Sequence, residues 1–356
     1  MATVFKTLTN NDVASTRTLL HEAIPITGTI VSGTYTNDGN IKNYSHGMFQ
    51  SVYDYPYLSS SANHIFDITV GYSAQSGLSA STNAQNAKKI NIYNEMAQVL
   101  VGHDATGSIL EFDQDGDISS GGTKIREAVF INFARLLTKD EIKKGSFVAK
   151  LLTGSNPPAP TNLLTLGDYQ GTTNYRTNSP AGEYGVLYTS SVSINSTSGV
   201  GLLYYQAGVA VLTSSVFTNA PVGNPTLFCG FGPATDFKTP TERGIEGALT
   251  GSQISSSADG LRNRITNLQF NNTTELNSTI YFCRANHNDF NYSSNPTYLS
   301  SSKIQVKDQS VDSPVSYITT VGLYSADNEL LAVAKLSEPL KKTPETELTL
   351  RVRLDY

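Results

Sequence analysis

Apolar and polar residues alternate most regularly at the end of the chain. In residues 346–356 (TELTLRVRLDY), Leu348, Leu350, Val352 and Leu354 alternate with polar or charged residues. A period of two predicts a β-strand with one apolar face and one face in water. Just before this strand, the strings YITTVGLYS and ELLAVAKLS flank the short turn ADN, which predicts a β-hairpin. We therefore expect β-structure throughout the last part of the chain.

Earlier segments also have the composition of strands. Residues 124–137 (KIREAVFINFARLL) are rich in β-branched and aromatic residues, as in a buried strand, and residues 147–152 return as a second strand. Between them, the string TKDE has the Thr and Glu spacing of a capping box and predicts one helical turn. In residues 184–217, LLYY and VAVLT flank QAG and predict another hairpin. We expect C-terminal strands to pair with residues 124–152.

Helical signals are few. Residues 83–101 place Ile90, Tyr93 and Ala97 three or four positions apart, which predicts an amphipathic helix. Residues 9–23 open with TNND and then carry scattered apolar residues, which predicts a short helix with a polar N-cap. Between residues 218 and 264 the chain is rich in proline and glycine and is predicted to be mostly loop.

These patterns predict a mainly β protein with minor α content. Its sheets would be of the β-sandwich type, joined by long loops rich in Gly, Pro and Asn. We expect an N-terminal α+β part in residues 1–155, a middle β part with long loops in residues 156–262, and a C-terminal β part in residues 263–356. If the C-terminal strands pair with the N-terminal part, the middle part is an insertion between them.

The charge pattern limits the partners of the protein. Charged residues make up 15% of the chain, against roughly 25% in a typical soluble domain. The 25 basic and 30 acidic residues leave a net charge of −5. Because phosphate binding needs clustered Lys and Arg, we expect no nucleic-acid partner.

The chain also lacks membrane and export signals. No apolar run approaches the roughly 18 residues of a membrane helix, so we expect no membrane span. The opening residues lack the basic, apolar and small-residue order of a secretory signal, so we expect folding in a cytoplasm. In that compartment Cys229 and Cys283 are expected to be buried, reduced thiols.

An acidic loop is the one candidate metal site. Asp113, Asp115 and Asp117 have the spacing that opens a calcium-binding loop. The positions that should hold glycine and an acidic residue are instead Ile118 and Lys124, and a strand follows where a helix should. A solvated acidic turn is therefore the favoured interpretation, with calcium as the alternative, and we expect no cofactor.

No catalytic motif stands out, and we predict that the protein is not an enzyme. The five histidines show no HxH or HExxH spacing, and His64 with Asp67 lacks a GxSxG serine elbow nearby. Two carboxylates for glycoside hydrolysis need only meet in space, so a glycan or cell-wall hydrolase remains the alternative. Its candidate acids are Glu111 and Asp236, together with the acidic loop.

Tyrosine-rich segments are the most unusual feature of the composition. The candidate interface residues are Tyr53, Tyr55, Tyr57, Tyr292 and Tyr298. Tyrosine supplies a large contact area at low entropic cost, which suits a protein–protein interface. A sugar-binding face and simple packing under irregular loops are the two alternatives.

Several strings together resemble one family. They are TLTNNDVASTRTLLHEAIPITGTIVSGTY, NIKNYSHGMFQSVYDYPYLSSSANHIFDITVGYS, INFARLLTKDEIKKGSF, LLYYQAGVAVLTSSVF, YFCRANHNDFNYSSNPTY and ITTVGLYSADNELLAVAKLSEPLKK. With these strings the chain resembles, nearly end to end, virion structural proteins of contractile-tailed phages (myoviruses), particularly those that infect marine cyanobacteria.

The resemblance implies a structural component of the phage tail, in the baseplate region. A neck protein or a fibre adaptor is the alternative within the same particle. It also implies contacts with other tail and baseplate proteins, a homo-oligomer, and a place in the virion after assembly in the host cytoplasm. It implies no catalytic residue at any position of this sequence.

Overall fold

The computed structural model describes most of the chain. The residues described are 5–27, 38–118, 121–152, 163–189, 191, 194, 198–217, 249–251, 253–262, 265–291, 299–300, 303–304 and 315–356. The chain forms two compact units, a larger one of Leu20–Thr274 and a smaller one of Met1–Leu19 with Glu275–Tyr356. The predicted three-part division stays a prediction.

The described residues are mainly β-strand, with three helices, which confirms the predicted fold class. The helices are α1 (Asn86–Leu100), α2 (Arg135–Thr138) and α3 (Ile254–Arg262). The strands are β1 (Val13–Thr27), β2 (Ile41–Asn43), β3 (Gln50–Tyr53), β4 (His64–Tyr72), β5 (Phe112–Asp113), β6 (Lys124–Ile125), β7 (Glu127–Phe133), β8 (Glu141–Ile142), β9 (Val148–Leu152), β10 (Leu163–Gly167), β11 (Arg176–Ser179), β12 (Gly182–Tyr188), β13 (Gly199–Tyr204), β14 (Val209–Thr213), β15 (Ile265–Ala285), β16 (Leu299–Ser300), β17 (Lys303–Ile304), β18 (Ser316–Tyr324), β19 (Leu330–Lys342) and β20 (Leu348–Asp355).

One antiparallel sheet organises the larger unit. Its strand order is β15–β9–β10–β12–β13–β14–β7–β4–β3–β2, with β11 on β12 and β8 on β15. The predicted hairpin around QAG is β13–β14, closed by the pair Tyr204 and Val209. The predicted pairing of C-terminal strands with residues 124–152 is also confirmed, since β15 pairs with β8 and β9.

The core of the larger unit lies where distant strands of this sheet face each other. The ring of Phe133, on β7, lies 6.0 Å from the ring of Phe147 and 5.1 Å from that of Phe270, on β15. These strands are far apart in the strand order, so the sheet folds over a shared apolar interior, as in a sandwich. The inward side chains of β4 and β7 are almost completely buried there.

Helix α1 covers the other face of β4, as its apolar spacing predicts. It buries Ile92, Tyr93, Ala97 and Leu100. The hydroxyl of Tyr93 donates a hydrogen bond to the carbonyl oxygen of Ile125 at 2.7 Å, so the ring is buried with its polar atom satisfied. No helix among the residues described is long and apolar enough to cross a membrane.

The helix predicted for residues 9–23 is wrong, because that segment forms β1. The polar TNND string makes only a short 3-10 turn at Asn10–Asp12, in which Thr9 donates from its backbone N–H and its hydroxyl to the Asp12 carboxylate. The following residues are extended and pair with β15. Pairing with a distant strand outweighs the weak local helix signal.

Two other local predictions also need correction. The capping box predicted at the TKDE string is not formed, because α2 ends at Thr138 and Glu141 enters β8. Helix α3 was missed inside the segment predicted to be loop, although Ile254, Ala258 and Leu261 form a buried face at spacings of four and three. Residues 218–248 of that segment lie outside the described part.

The smaller unit is built from β-strands. The second half of β15 lies between β1 and β20, and the register with β20 runs from Ser278 opposite Asp355 to Ala285 opposite Leu348. Strands β18 and β19 form a separate hairpin. The strand predicted from TELTLRVRLDY and the hairpin predicted around ADN are therefore both confirmed.

Candidate assembly surfaces

Five side chains on β2, β3, β4 and the adjoining loops form what we call the tyrosine cluster: Lys42, Tyr44, Tyr53, Tyr57 and His64. The Lys42 ammonium lies 4.7 Å from the ring centre of Tyr44 and 5.9 Å from that of Tyr57. The ring of Tyr53 lies 6.3 Å from that of Tyr57 and 5.5 Å from that of His64. The lysine thus joins two rings by cation–π contacts at the edge of the sheet.

Beside the tyrosine cluster, a serine, an aspartate and a histidine meet, but not as a catalytic triad. The Ser51 hydroxyl donates to Oδ1 of Asp67 at 2.5 Å, and Nε2 of His64 lies 2.8 Å from the same oxygen. A nucleophilic serine must instead donate to the histidine. Because both groups bind the carboxylate, the arrangement fixes β3 against β4 and does not activate Ser51.

The predicted interface tyrosines have different environments. Tyr55 and Tyr57 are 51% and 37% exposed, beside Leu58, which is 88% exposed. Tyr53 is half-buried, and burial raises the pKa of its hydroxyl. Tyr292 and Tyr298 lie outside the described residues. The exposed rings and Leu58 give this edge of the sheet an exposed apolar area.

The acidic loop brings its three carboxylates together. Oxygen atoms of Asp113, Asp115 and Asp117 lie within 4.8 Å of one another. Asp113 is buried and forms an ion pair with the Lys124 ammonium across the β5–β6 pair. Burial raises the pKa of Asp113, while the hydrogen bond from Lys124 acts in the opposite direction. The Lys124 ammonium thus already compensates the negative charge of Asp113, as a bound metal cation would.

Replacing Lys124 with methionine is expected to lower the free energy of unfolding by about 3 kcal/mol, because the buried Asp113 carboxylate loses its partner. Urea denaturation at neutral pH measures the change. The double variant Lys124→Met/Asp113→Asn should recover part of the loss, since no buried charge is left uncompensated.

The matched control for this prediction is Lys139→Met. Lys139 pairs with Glu22 at 3.5 Å, and both side chains are largely exposed. An exposed pair contributes at most about 1 kcal/mol. If Lys124→Met costs no more than this control, the Asp113 pair does not carry the stability assigned to it.

The other candidate acids and the cysteines do not form a catalytic constellation in the described residues. Glu111 accepts a hydrogen bond from the Ser73 hydroxyl at 2.5 Å and one from Arg126 Nε at 3.2 Å. Cys283 is half-buried, not buried as predicted, and burial raises the pKa of its thiol. Asp236 and Cys229 lie outside the described residues.

The smaller unit has no buried apolar core among its described residues. Among those described residues, Ala285 is the one buried apolar side chain, and none belongs to the core cluster of the larger unit. On β18–β19, exposed and half-buried residues alternate, but the exposed positions change parity where the register shifts. Five large apolar side chains of this hairpin are exposed: Tyr317, Tyr324, Leu330, Leu331 and Val333.

A buried ammonium fixes the base of this hairpin. Lys342 is fully buried, and its Nζ donates to the carbonyl oxygen of His287 at 3.2 Å, to Oδ1 of Asn291 at 2.8 Å and to the carbonyl oxygen of Thr343 at 2.8 Å. Three acceptors satisfy all three N–H groups of an ammonium. In the sequence, this residue belongs to an unremarkable lysine pair, so its role was not predictable.

Comparisons of the chain with protein-family models, with curated proteins and with solved structures find no match.

Proposed function

We propose that this protein is a structural component of the particle of a contractile-tailed phage, in the baseplate region of the tail, and that it acts by subunit assembly without catalysis. The observation that carries the proposal is the smaller unit, whose amphipathic strands bury almost no apolar side chain in the described chain. Such strands need a further layer of protein to cover them.

The strands β18 and β19 need such a layer because an uncovered hairpin has low stability. A two-stranded hairpin is marginally stable in water unless a further strand, sheet or helix packs on it. Exposed apolar patches of several hundred Å² are typical of interaction sites. Neighbouring subunits of a particle would supply the missing cover for β18–β19.

Two further features support the same proposal. The tyrosine cluster, with Tyr55 and Leu58 beside it, offers a second exposed surface with aromatic anchors, on the larger unit. The low charge of the chain suits close contact between subunits, because few charged groups need to be desolvated. The resemblance to myovirus structural proteins supplies the kind of particle.

Immunogold labelling tests the proposal. A gold-labelled antibody raised against this protein, viewed on intact virions by negative-stain electron microscopy, should decorate the distal end of the tail. Label at the neck or head would overturn the baseplate placement and retain a structural role. No label on intact or opened particles would overturn the structural role itself.

A further inference from the structure

We propose that the side chains of Lys124 and Asp113 join covalently through an isopeptide bond between the lysine Nζ and the aspartate Cγ, with Asp115 transferring the protons. This self-modification of the folded chain goes beyond the proposed assembly function and does not rest on it. Three features of the structure support it: the contact between the two reacting groups, their burial, and a neighbouring carboxyl group.

The sheet holds the reacting groups in contact. Asp113 and Lys124 lie directly opposite each other in the antiparallel pair of β5 and β6. The Lys124 Nζ donates a hydrogen bond to Oδ2 of Asp113, so it lies next to the carbon that it would attack. Holding two reactants together replaces a bimolecular encounter with an intramolecular step, for which effective concentrations reach about 10⁵ M or more.

The loop that follows β5 is fixed on the larger unit and keeps Asp113 in place. The Tyr184 hydroxyl donates to the carbonyl oxygen of Gly116 at 2.9 Å, and a Cβ on Gly116 would lie 2.8 Å from Cγ2 of Val186. A Cβ on Gly122 would lie 3.1 Å from Oδ2 of Asp113, so the backbone of this glycine covers the carboxylate. The contact between the reacting groups is therefore preorganised.

Burial favours the neutral forms that must react. The Asp113 side chain is 2% exposed and that of Lys124 is 17% exposed. Buried charges lose their hydration. Transfer of one proton from the ammonium to the carboxylate therefore costs less here than in water. The resulting amine carries the lone pair that attacks Cγ, and the resulting carboxylic acid accepts attack more readily than a carboxylate does.

The Asp115 carboxyl group lies where the proton transfers are needed. Burial raises the pKa of Asp113, the hydrogen bond from Lys124 opposes this effect, and a hydrogen bond with the Asp115 side chain raises the pKa further. Carboxylate oxygens of Asp113 and Asp115 lie within 4.8 Å of each other. Asp115 thus contacts the group that must leave, as a general acid–base catalyst has to.

The reaction balances without a co-reactant. The lone pair of the Lys124 Nζ attacks Cγ of the neutral Asp113 carboxyl group and forms the C–N bond. Asp115 accepts a proton from Nζ and donates one to an Asp113 carboxyl oxygen, whose bond to Cγ breaks as water leaves. The chain loses one molecule of water, and Asp115 is regenerated. Burial of the new amide limits the access of water that would reverse the reaction.

Mass spectrometry of the purified full-length protein tests the proposal. No Lys or Arg lies between residues 90 and 123, and trypsin cleaves after a free lysine. We therefore expect residues 90–126 as one tryptic peptide, uncut after Lys124 and lighter by one water molecule than its sequence. The intact, denatured protein should show the same loss of mass. Cleavage after Lys124 with no loss of water would overturn the proposal.

The matched control is Lys124→Arg. Arginine keeps a positive charge beside Asp113, but its guanidinium stays protonated and is not a nucleophile. We expect this variant to have the full mass of its sequence. A succinimide at the bond between Asp115 and Gly116 would also lose one water molecule, but it would form without Lys124. Loss of water that persists in Lys124→Arg would therefore overturn the proposal.

Asp115→Ala tests the proton transfer. Cell-free synthesis of the full-length protein, sampled over time, gives the rate at which the linked peptide accumulates. The variant should form the link at least about 100-fold more slowly, because general acid–base catalysis contributes roughly 10²–10⁴-fold. Asp117→Ala removes a carboxyl group from the same loop and should retain most of the rate. Equal slowing by the two substitutions would overturn the role of Asp115.

Discussion

Replacing Gly71 with alanine is expected to lower the free energy of unfolding by about 3 kcal/mol, because no room exists for a Cβ between β4 and α1. A Cβ at this position would lie 2.6 Å from the carbonyl oxygen of Lys89 and 2.9 Å from the amide nitrogen of Tyr93. Both atoms belong to the backbone of α1. The helix itself must therefore move, since no side-chain rotation can relieve the contact.

Movement of α1 would disturb the most tightly packed face of the larger unit. Tyr93 would lose its position against Phe112 and Phe130, whose rings lie 5.5 and 6.5 Å away. Lys89 would be pulled from the carbonyl oxygens of Ala84 and Leu249 that its buried ammonium now reaches, at 2.7 and 2.5 Å. Adding one methyl group at Gly71 would thus weaken several interactions of α1.

Guanidinium denaturation of the full-length protein, followed by circular dichroism, measures this prediction. The matched control is Gly77→Ala, because a Cβ there would meet nothing within 4 Å. Gly77→Ala should change the unfolding free energy by no more than about 1 kcal/mol. Similar midpoints for the two variants would contradict the close contact between β4 and α1.

The second large effect concerns Asp168, which is buried and holds a turn of the larger unit in place. Its carboxylate accepts hydrogen bonds from the backbone N–H of Gly145 at 2.6 Å and of Phe147 at 3.0 Å, and from the Tyr205 hydroxyl at 3.3 Å. Burial raises the pKa of this carboxyl to about 6, and the hydrogen bonds only partly oppose it.

The raised pKa predicts the sign of a pH dependence. Between the unfolded value of 3.8 and the folded value of about 6, the folded protein binds the Asp168 proton more tightly than the unfolded chain does. The stability contributed by this group is therefore greatest below the unfolded pKa and is lost as the pH rises through about 6. The loss across this window is of order 3 kcal/mol.

Comparison with Asp168→Asn isolates this titration, because the amide does not ionise. The unfolding free energy of the unmodified protein minus that of the variant should fall as the pH rises from about 4 to about 7. Other titrating groups cancel in the difference. A difference that stays constant or rises with pH would contradict the raised pKa of Asp168.

Asp104 provides a control of opposite sign. It is exposed, and hydrogen bonds from Thr106 and Ser108 lower the pKa of its carboxyl. For this group the stability is present above the unfolded pKa and is lost as the pH falls through the lower folded value. The difference between the unmodified protein and Asp104→Asn should therefore rise with pH, by a smaller amount than the Asp168 effect.

Local pattern predicted the elements whose partners are close in sequence. The hairpins β13–β14 and β18–β19 and helix α1 each combine a clear period with turn or helix composition, so short-range information was sufficient. The sequence of β1 shows neither the helical nor the strand period of apolar residues. Its extended form depends on pairing with β15, more than two hundred residues later in the chain. Such pairing is decided by tertiary contacts that a single sequence does not display.

The candidate surfaces were less predictable than the elements. Alternation in β20 predicted one apolar face and one face in water, and in the structure Leu348, Leu350 and Val352 on the apolar face are half-buried. A sequence pattern cannot distinguish a face that is covered within the chain from one that awaits another molecule. The buried pairing of Asp113 with Lys124 was hidden for a similar reason, since the loop between them reads as a solvated acidic turn.

Two of the three hydrogen bonds of Lys342 impose an order on biosynthesis. They join the loop after β15 to the end of β19, across 55 and 51 residues of chain for His287 and Asn291. These hydrogen bonds cannot form until residue 342 has left the ribosome, because a long-range contact needs both of its residues to have been synthesised. The base of the β18–β19 hairpin would then be fixed late, after every residue of the larger unit has been synthesised, because that unit ends at Thr274.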